Sequence, residues 1–139
     1  MTQQYKSIKT STFRKLAFVF MSIWTTIFGA CAQSKYTNAD VDAFEQAIKT
    51  DSAQILDVRT HEEFAESHLK GAIQVDVFNP NFLAEAESKL QKERPVAVYC
   101  RSGRRSATAA KQLSAKGYQV INLEGGILAW MAKHKETVR

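Results

Sequence analysis

The sequence predicts an α/β fold, a layered domain built on a mainly parallel sheet. Two observations predict it. Short apolar, β-branched runs alternate with helical segments from about residue 38 to residue 134, and strands separated by helices form parallel sheets covered by helical layers. The run at 95–99 is apolar throughout, as befits a strand buried on both faces.

Taken in order, Asn38 stands where an N-cap belongs. It precedes a helix over 39–49 that sets Val41, Phe44, Ala47 and Ile48 on one face. Residues 53–58 read as a strand ending at the polar Asp57 and Arg59. His61 to Ser67 reads as a short helix, and residues 72–77 as a second strand. Pro80 opens a helix to about Gln91, because proline is tolerated in a first helical turn. After the strand at 95–99, Ser106 to Lys116 is helical and Gly117 suits its stop. Residues 118–123 form a further strand, Gly125 and Gly126 turn the chain, and Ile127 to Lys133 forms the last helix.

The 139 residues carry a formal charge of +5, which by itself suggests a polyanion partner. The distribution argues against one. Residues 1–30 hold Lys6, Lys9, Arg14 and Lys15 and no acid, so the rest is close to neutral, and no nucleic-acid partner is expected. The basic start runs into a mostly apolar stretch of 15 residues, Leu16 to Ala30. That is short for a membrane-spanning helix, which needs about 20 residues, and it fits the core of a secretory signal peptide. Residues 28–31, Phe-Gly-Ala-Cys, resemble the lipobox of bacterial lipoproteins, with Phe28 departing from the usual aliphatic residue. The resemblance implies a lipidated Cys31 at a new N-terminus and a domain facing the periplasm or the cell surface. An uncleaved anchor and an ordinary signal peptide are the alternatives. The expected organisation is a signal peptide over 1–30, a tether over 31–37 and one domain over 38–139.

Only two cysteines are present, Cys31 and Cys100. With Cys31 lipidated, Cys100 is a lone thiol with no disulfide partner. Cys100 follows the strand at 95–99 directly, and ligands of parallel sheets sit at the carboxyl ends of strands. The segment Cys100-Arg101-Ser102-Gly103-Arg104-Arg105-Ser106 then leads into a helix. Loop N–H groups and the free N–H groups of a helix start can converge on one point there, and the helix dipole adds positive charge. Both favour a thiolate, the nucleophilic form of cysteine. Gly103 permits a tight loop, and three arginines within five positions favour the thiolate and an approaching anion.

Cys100 to Arg105 resembles the active-site loop of single-domain rhodaneses, a family of sulfurtransferases. Leu56 to Phe64, continuing through His68 to Ala72, resembles the family's early strand–helix signature. Leu123 to Trp130 resembles its closing signature. Ser67-His68-Leu69 departs from the commoner Gly-His-Ile. The resemblance spans about residues 38–134 and implies a rhodanese-like three-layer fold, with helices on both faces of the sheet. It also implies a two-step cycle. The Cys100 thiolate takes a sulfur from a small anionic donor such as thiosulfate and holds it as a persulfide. A thiophilic acceptor then removes it: cyanide, a small thiol or a protein thiol. Arg101, Ser102, Gly103, Arg104 and Arg105 would bind the donor. Ser106 and Asp57 would support the loop, although Asp57 reads equally well as a capping carboxylate. No cofactor is implied. An alternative is a sulfur-carrier module that turns over small donors poorly. Phosphatases with a Cys-x5-Arg loop have one more residue before the arginine, and the shorter loop here suits one sulfur atom better than a phosphate or arsenate group.

The remaining polar residues have plainer readings. Arg59 and Glu63 are expected to form an ion pair at helical-turn spacing, and Trp130 to pack in the core. His61, His68 and His134 show no metal-ligand spacing.

Overall fold

A computed structural model describes residues 36–50 and 53–139. The expected signal peptide, the lipidation site Cys31 and most of the tether lie outside the described residues. The described residues form one compact unit. Ten elements run in order along it: β1 (Thr37–Ala39), α1 (Val41–Lys49), β2 (Gln54–Asp57), α2 (His61–Glu66), β3 (Ile73–Gln74), α3 (Phe82–Lys89), β4 (Val96–Tyr99), α4 (Arg104–Ala115), β5 (Val120–Leu123) and α5 (Gly126–Ala132).

The five strands form one sheet in the order β1-β5-β4-β2-β3, and every pairing is parallel. All four residues of β4 are buried, because the strand is central and each face is covered. Val96 and Val98 pack with Phe82 and Ala86 of α3 and with Ala109, Ala110 and Leu113 of α4. Ala97 and Tyr99 pack on the other face with Phe44 of α1 and with Ile127 and Trp130 of α5. These are the expected three layers. Trp130 is buried, meets Phe44 edge-on and donates its indole N–H to the Glu136 carbonyl, so it belongs to the core. The chain leaves β2 toward β3 and leaves β4 toward β5, in opposite directions. The carboxyl ends of β2 and β4 therefore flank the switch point where parallel sheets place their ligands.

Several boundaries differ from expectation. Asp40, not Asn38, caps α1, its side chain accepting the Ala43 N–H at 2.8 Å. Asn38 lies instead in β1, beside Asn122 in register. Thr37 and Tyr36, read as the end of a tether, respectively enter that edge strand and pack on the core. The strand expected over 72–77 reduces to Ile73–Gln74, since past it the chain turns at Asp76, whose carboxylate accepts the Phe78 N–H. Helix α4 begins at Arg104, two residues early, which puts Arg104 and Arg105 in its first turn.

Candidate active site

The site is built on the short connection between β4 and α4. Cys100 directly follows the buried strand and is itself buried. Gly103, at φ +94°, caps α4 in the left-handed region and turns its N–H back onto Cys100 Sγ at 3.1 Å. A side chain at Gly103 would lie 3.2 Å from the Gly125 nitrogen and the Leu123 oxygen, so glycine suits both the turn and the contact. The Ser106 hydroxyl donates to Sγ at 3.3 Å. The N–H groups of Ser102 and Ser106 also point to the sulfur.

The loop holds this shape because its carbonyls are engaged elsewhere. Ile127 N–H donates to the Cys100 carbonyl at 2.9 Å and Leu128 N–H to the Arg101 carbonyl at 3.2 Å. The start of α5 thus draws the loop's oxygens away and leaves its N–H groups facing the sulfur. Gly126 permits this approach: a Cβ there would stand 2.5 Å from the Cys100 and Arg101 carbonyls. The Gly125-Gly126 turn is therefore a clamp on the sulfur loop.

Burial alone pushes the Cys100 thiol pKa up, and it is the largest single influence. The Ser106 hydroxyl and the N–H groups of Ser106, Ser102 and Gly103 together outweigh it, so the thiol sits below its ordinary value. The structure brings Cys100, Ser102, Gly103 and Ser106 together as expected. It divides the arginines. Arg101 and Arg104 are exposed at the rim. Arg105 is half-buried and bound by two hydrogen bonds of 2.7 Å to Glu63, with its guanidinium 5.7 Å from the centre of the Phe78 ring.

The expected Arg59–Glu63 pair is a correction. Arg59 precedes Thr60, the N-cap of α2, so helical spacing does not apply to it. It turns back to Asp57, pairing at 2.6 Å, and donates to the Ser67 carbonyl at 2.7 Å. Glu63 closes a capping box with Thr60 and reaches Arg105. That partner, together with the Thr60 N–H, outweighs burial and holds the Glu63 carboxyl at about 2. Asp57 does not touch the loop's own groups. It pairs with Arg59 and interacts with the hydroxyl of Tyr99, the residue before Cys100, which accepts the Leu69 N–H at 3.0 Å. Sequence reasoning missed Glu63, Phe78 and Tyr99 as neighbours of the site. The Thr60-x-x-Glu63 spacing does carry a capping-box signature. Nothing local announces the pairing of Glu63 with Arg105, 42 residues away.

Comparison with known proteins gives a consistent result. The family model "Rhodanese-like domain" matches residues 40–133. A sulfurtransferase of Allochromatium vinosum is 38% identical over 97 residues, which is 68% of this chain and 87% of that one. The thiosulfate sulfurtransferase GlpE of Coxiella burnetii is 35% identical over 95 residues, 68% of this chain and 85% of that protein. The crystal structure of a rhodanese-related protein from Thermoplasma volcanium superposes with a TM-score of 0.66 at 28% identity, covering 74% of this chain and 98% of that one.

Proposed function

The chain belongs to the rhodanese-like domain family, and we propose that it is a sulfurtransferase in which Cys100 carries sulfane sulfur from thiosulfate to a thiophilic acceptor. The observation that carries this reading is the ring of N–H and O–H donors around a buried, pKa-lowered Cys100 Sγ. Such a ring stabilises negative charge on sulfur. The thiolate attacks the outer sulfur of thiosulfate. A bond forms from Sγ to that sulfur, the bond from it to the sulfonate sulfur breaks, and sulfite leaves with the electron pair. The terminal persulfide sulfur then carries the charge the loop was built to hold. An acceptor nucleophile takes the sulfur and returns Cys100 as thiolate, so one substitution becomes two easier ones. The thiolate is already favoured, so a general base is unnecessary. Exposed Arg101 and Arg104 draw the dianionic donor to the rim.

A steady-state assay with thiosulfate and cyanide tests the proposal. Wild-type protein should turn over and Cys100→Ser should not, with an unchanged unfolding midpoint. Mass spectrometry after thiosulfate should show one added sulfur atom on the wild type alone. Loading without turnover would favour a persulfide carrier served by a protein partner. No loading from thiosulfate would remove it as donor, and wild-type-like transfer by Cys100→Ser would remove Cys100 from the mechanism.

We further propose export and lipid anchoring at Cys31, on the order of basic start, apolar run and small residues in the sequence. Mature protein should lack residues 1–30, and Cys31→Ala should release the anchor or block maturation. A full-length N-terminus recovered from membranes, unaffected by that change, would overturn it.

A further inference from the structure

One polar residue sits in the core without full satisfaction. Asn122 lies in β5, 3% exposed. Its Nδ2 donates to Asn38 Oδ1 at 2.9 Å, and its own Oδ1 has no hydrogen-bond partner. An amide oxygen buried without a donor is destabilising, and a β-branched apolar residue would suit this strand position better. Asn122 lines a cavity of about 370 Å³, walled also by Tyr36, Asn38, Ser102, Arg104 and Glu124. That volume falls at the small end of ordinary ligand sites. Arg104 and Glu124 are exposed and opposite in charge, and neither is ion-paired to another described residue. Gly103 belongs to the cavity wall as well, and its N–H lies 3.1 Å from Cys100 Sγ. A single turn of backbone therefore separates the cavity from the sulfur.

We propose that this cavity binds the amino-acid end of the sulfur acceptor, a cysteine-like or short peptidyl thiol. The proposal rests on the sulfurtransferase reading and specifies its acceptor. Arg104 takes the carboxylate and Glu124 the ammonium, with the Tyr36 ring as the apolar wall and the Asn122 side chain in the lining. The thiol arm reaches over Ser102 to the loaded Cys100. The acceptor thiol, having lost its proton to solvent, attacks the terminal persulfide sulfur. A new S–S bond forms on the acceptor, the bond from Cys100 Sγ to the transferred sulfur breaks, and its electron pair stays on Cys100 as thiolate. The acceptor departs as a persulfide anion, and the sulfane sulfur changes carrier without net redox change.

The test separates binding from transfer. S-methylglutathione, a thioether that accepts no sulfur, is titrated calorimetrically into full-length Cys100→Ser protein. Saturable binding is expected, weakened about fivefold or more by Asn122→Leu and by the surface changes Glu124→Lys and Asn38→Ala. In the otherwise wild-type chain the same changes should raise KM for glutathione and cysteine about fivefold, while KM for cyanide, which needs no such cavity, stays within about twofold. The surface variants decide the matter if Asn122→Leu fails to fold. Absence of saturable binding overturns the cavity assignment even where thiosulfate turnover is normal, as do thiol and cyanide KM values that move together. Saturable binding without any sulfur transfer would instead uphold the cavity and sink the sulfurtransferase reading.

Discussion

Two arginine–carboxylate pairs flank the sulfur loop, and they differ in one respect above all, access to water. Asp57 ends β2, in register with Tyr99, and pairs with Arg59, their side chains 0% and 5% exposed. Glu63 and Arg105 sit beside the loop, 27% and 21% exposed. The buried pair is tied into its surroundings: Arg59 also binds the Ser67 carbonyl and lies 5.5 Å from the centre of the Tyr99 ring. It joins the ends of β2 and β4 just before Cys100. The half-exposed pair makes two good hydrogen bonds across 42 residues, while Glu63 also accepts the Thr60 N–H and Arg105 lies over the Phe78 ring. Buried charges are costly when orphaned, whereas wet ones are screened. The first pair is thus part of the framework, and the second sets the charge near Cys100.

The largest expected effect is on the framework. Asp57→Ala leaves Arg59 charged and buried, and should cost about 3–5 kcal/mol of stability, a large part of a typical domain's total. Glu63→Gln should cost about 1 kcal/mol or less. Urea unfolding midpoints at constant m-value compare the two. Equal losses would break the distinction between a structural pair and an adjustable one.

The contrast also marks what a sequence discloses. The alternation of strands and helices, the place of Cys100 after a buried strand and the tight turn at Gly103 were legible, because local order dictates them: a buried strand, a glycine, a helix start. The family resemblance of the loop and the two outer signatures agrees with the matched region. The ion pairs were not legible. Helical spacing suggested Arg59 with Glu63, yet the helix begins after Arg59, and only the folded chain brings residue 105 to residue 63. β1 was hidden for a similar reason. Three residues at an edge carry no periodicity, and Asn38 looks like a cap until its partner Asn122 is in place.

The adjustable pair should show its role in kinetics, next in size. In the wild type Glu63 occupies both arms of the Arg105 guanidinium and neutralises it. Arg105→Gln leaves an unpaired carboxylate near the sulfur, and KM for thiosulfate should rise about tenfold. Glu63→Gln frees the cation, and KM should fall by about threefold. Steady-state kinetics at fixed ionic strength reads both. Changes of the same sign would show the pair to be a positional brace and not a charge setting. In the same series Ser106→Ala removes a donor to Sγ, so the thiol pKa should rise and the rate of iodoacetamide alkylation should move to higher pH. An unmoved profile would assign the thiolate to the loop N–H groups alone.

The smallest effect is the acid dependence of the half-exposed pair. Arg105 is the main cause that holds the Glu63 carboxyl at about 2, against an ordinary 4.5. A carboxyl more acidic in the folded state than in the unfolded one stabilises the fold once pH exceeds the unfolded value. That contribution is whole near neutrality, begins to fade as pH drops through about 4.5, and is gone below about 2. Solvent screening keeps its size at or below about 1 kcal/mol. Subtracting the stability of Glu63→Gln from that of wild type at each pH isolates it from the other carboxylates. The difference should be flat from neutrality down to about pH 5, then shrink toward about pH 2. A difference that instead stayed flat all the way down to about pH 2 would mean that Glu63 titrates near its ordinary value and that Arg105 does not hold it in solution. The charge next to Cys100 would then be that of a free arginine.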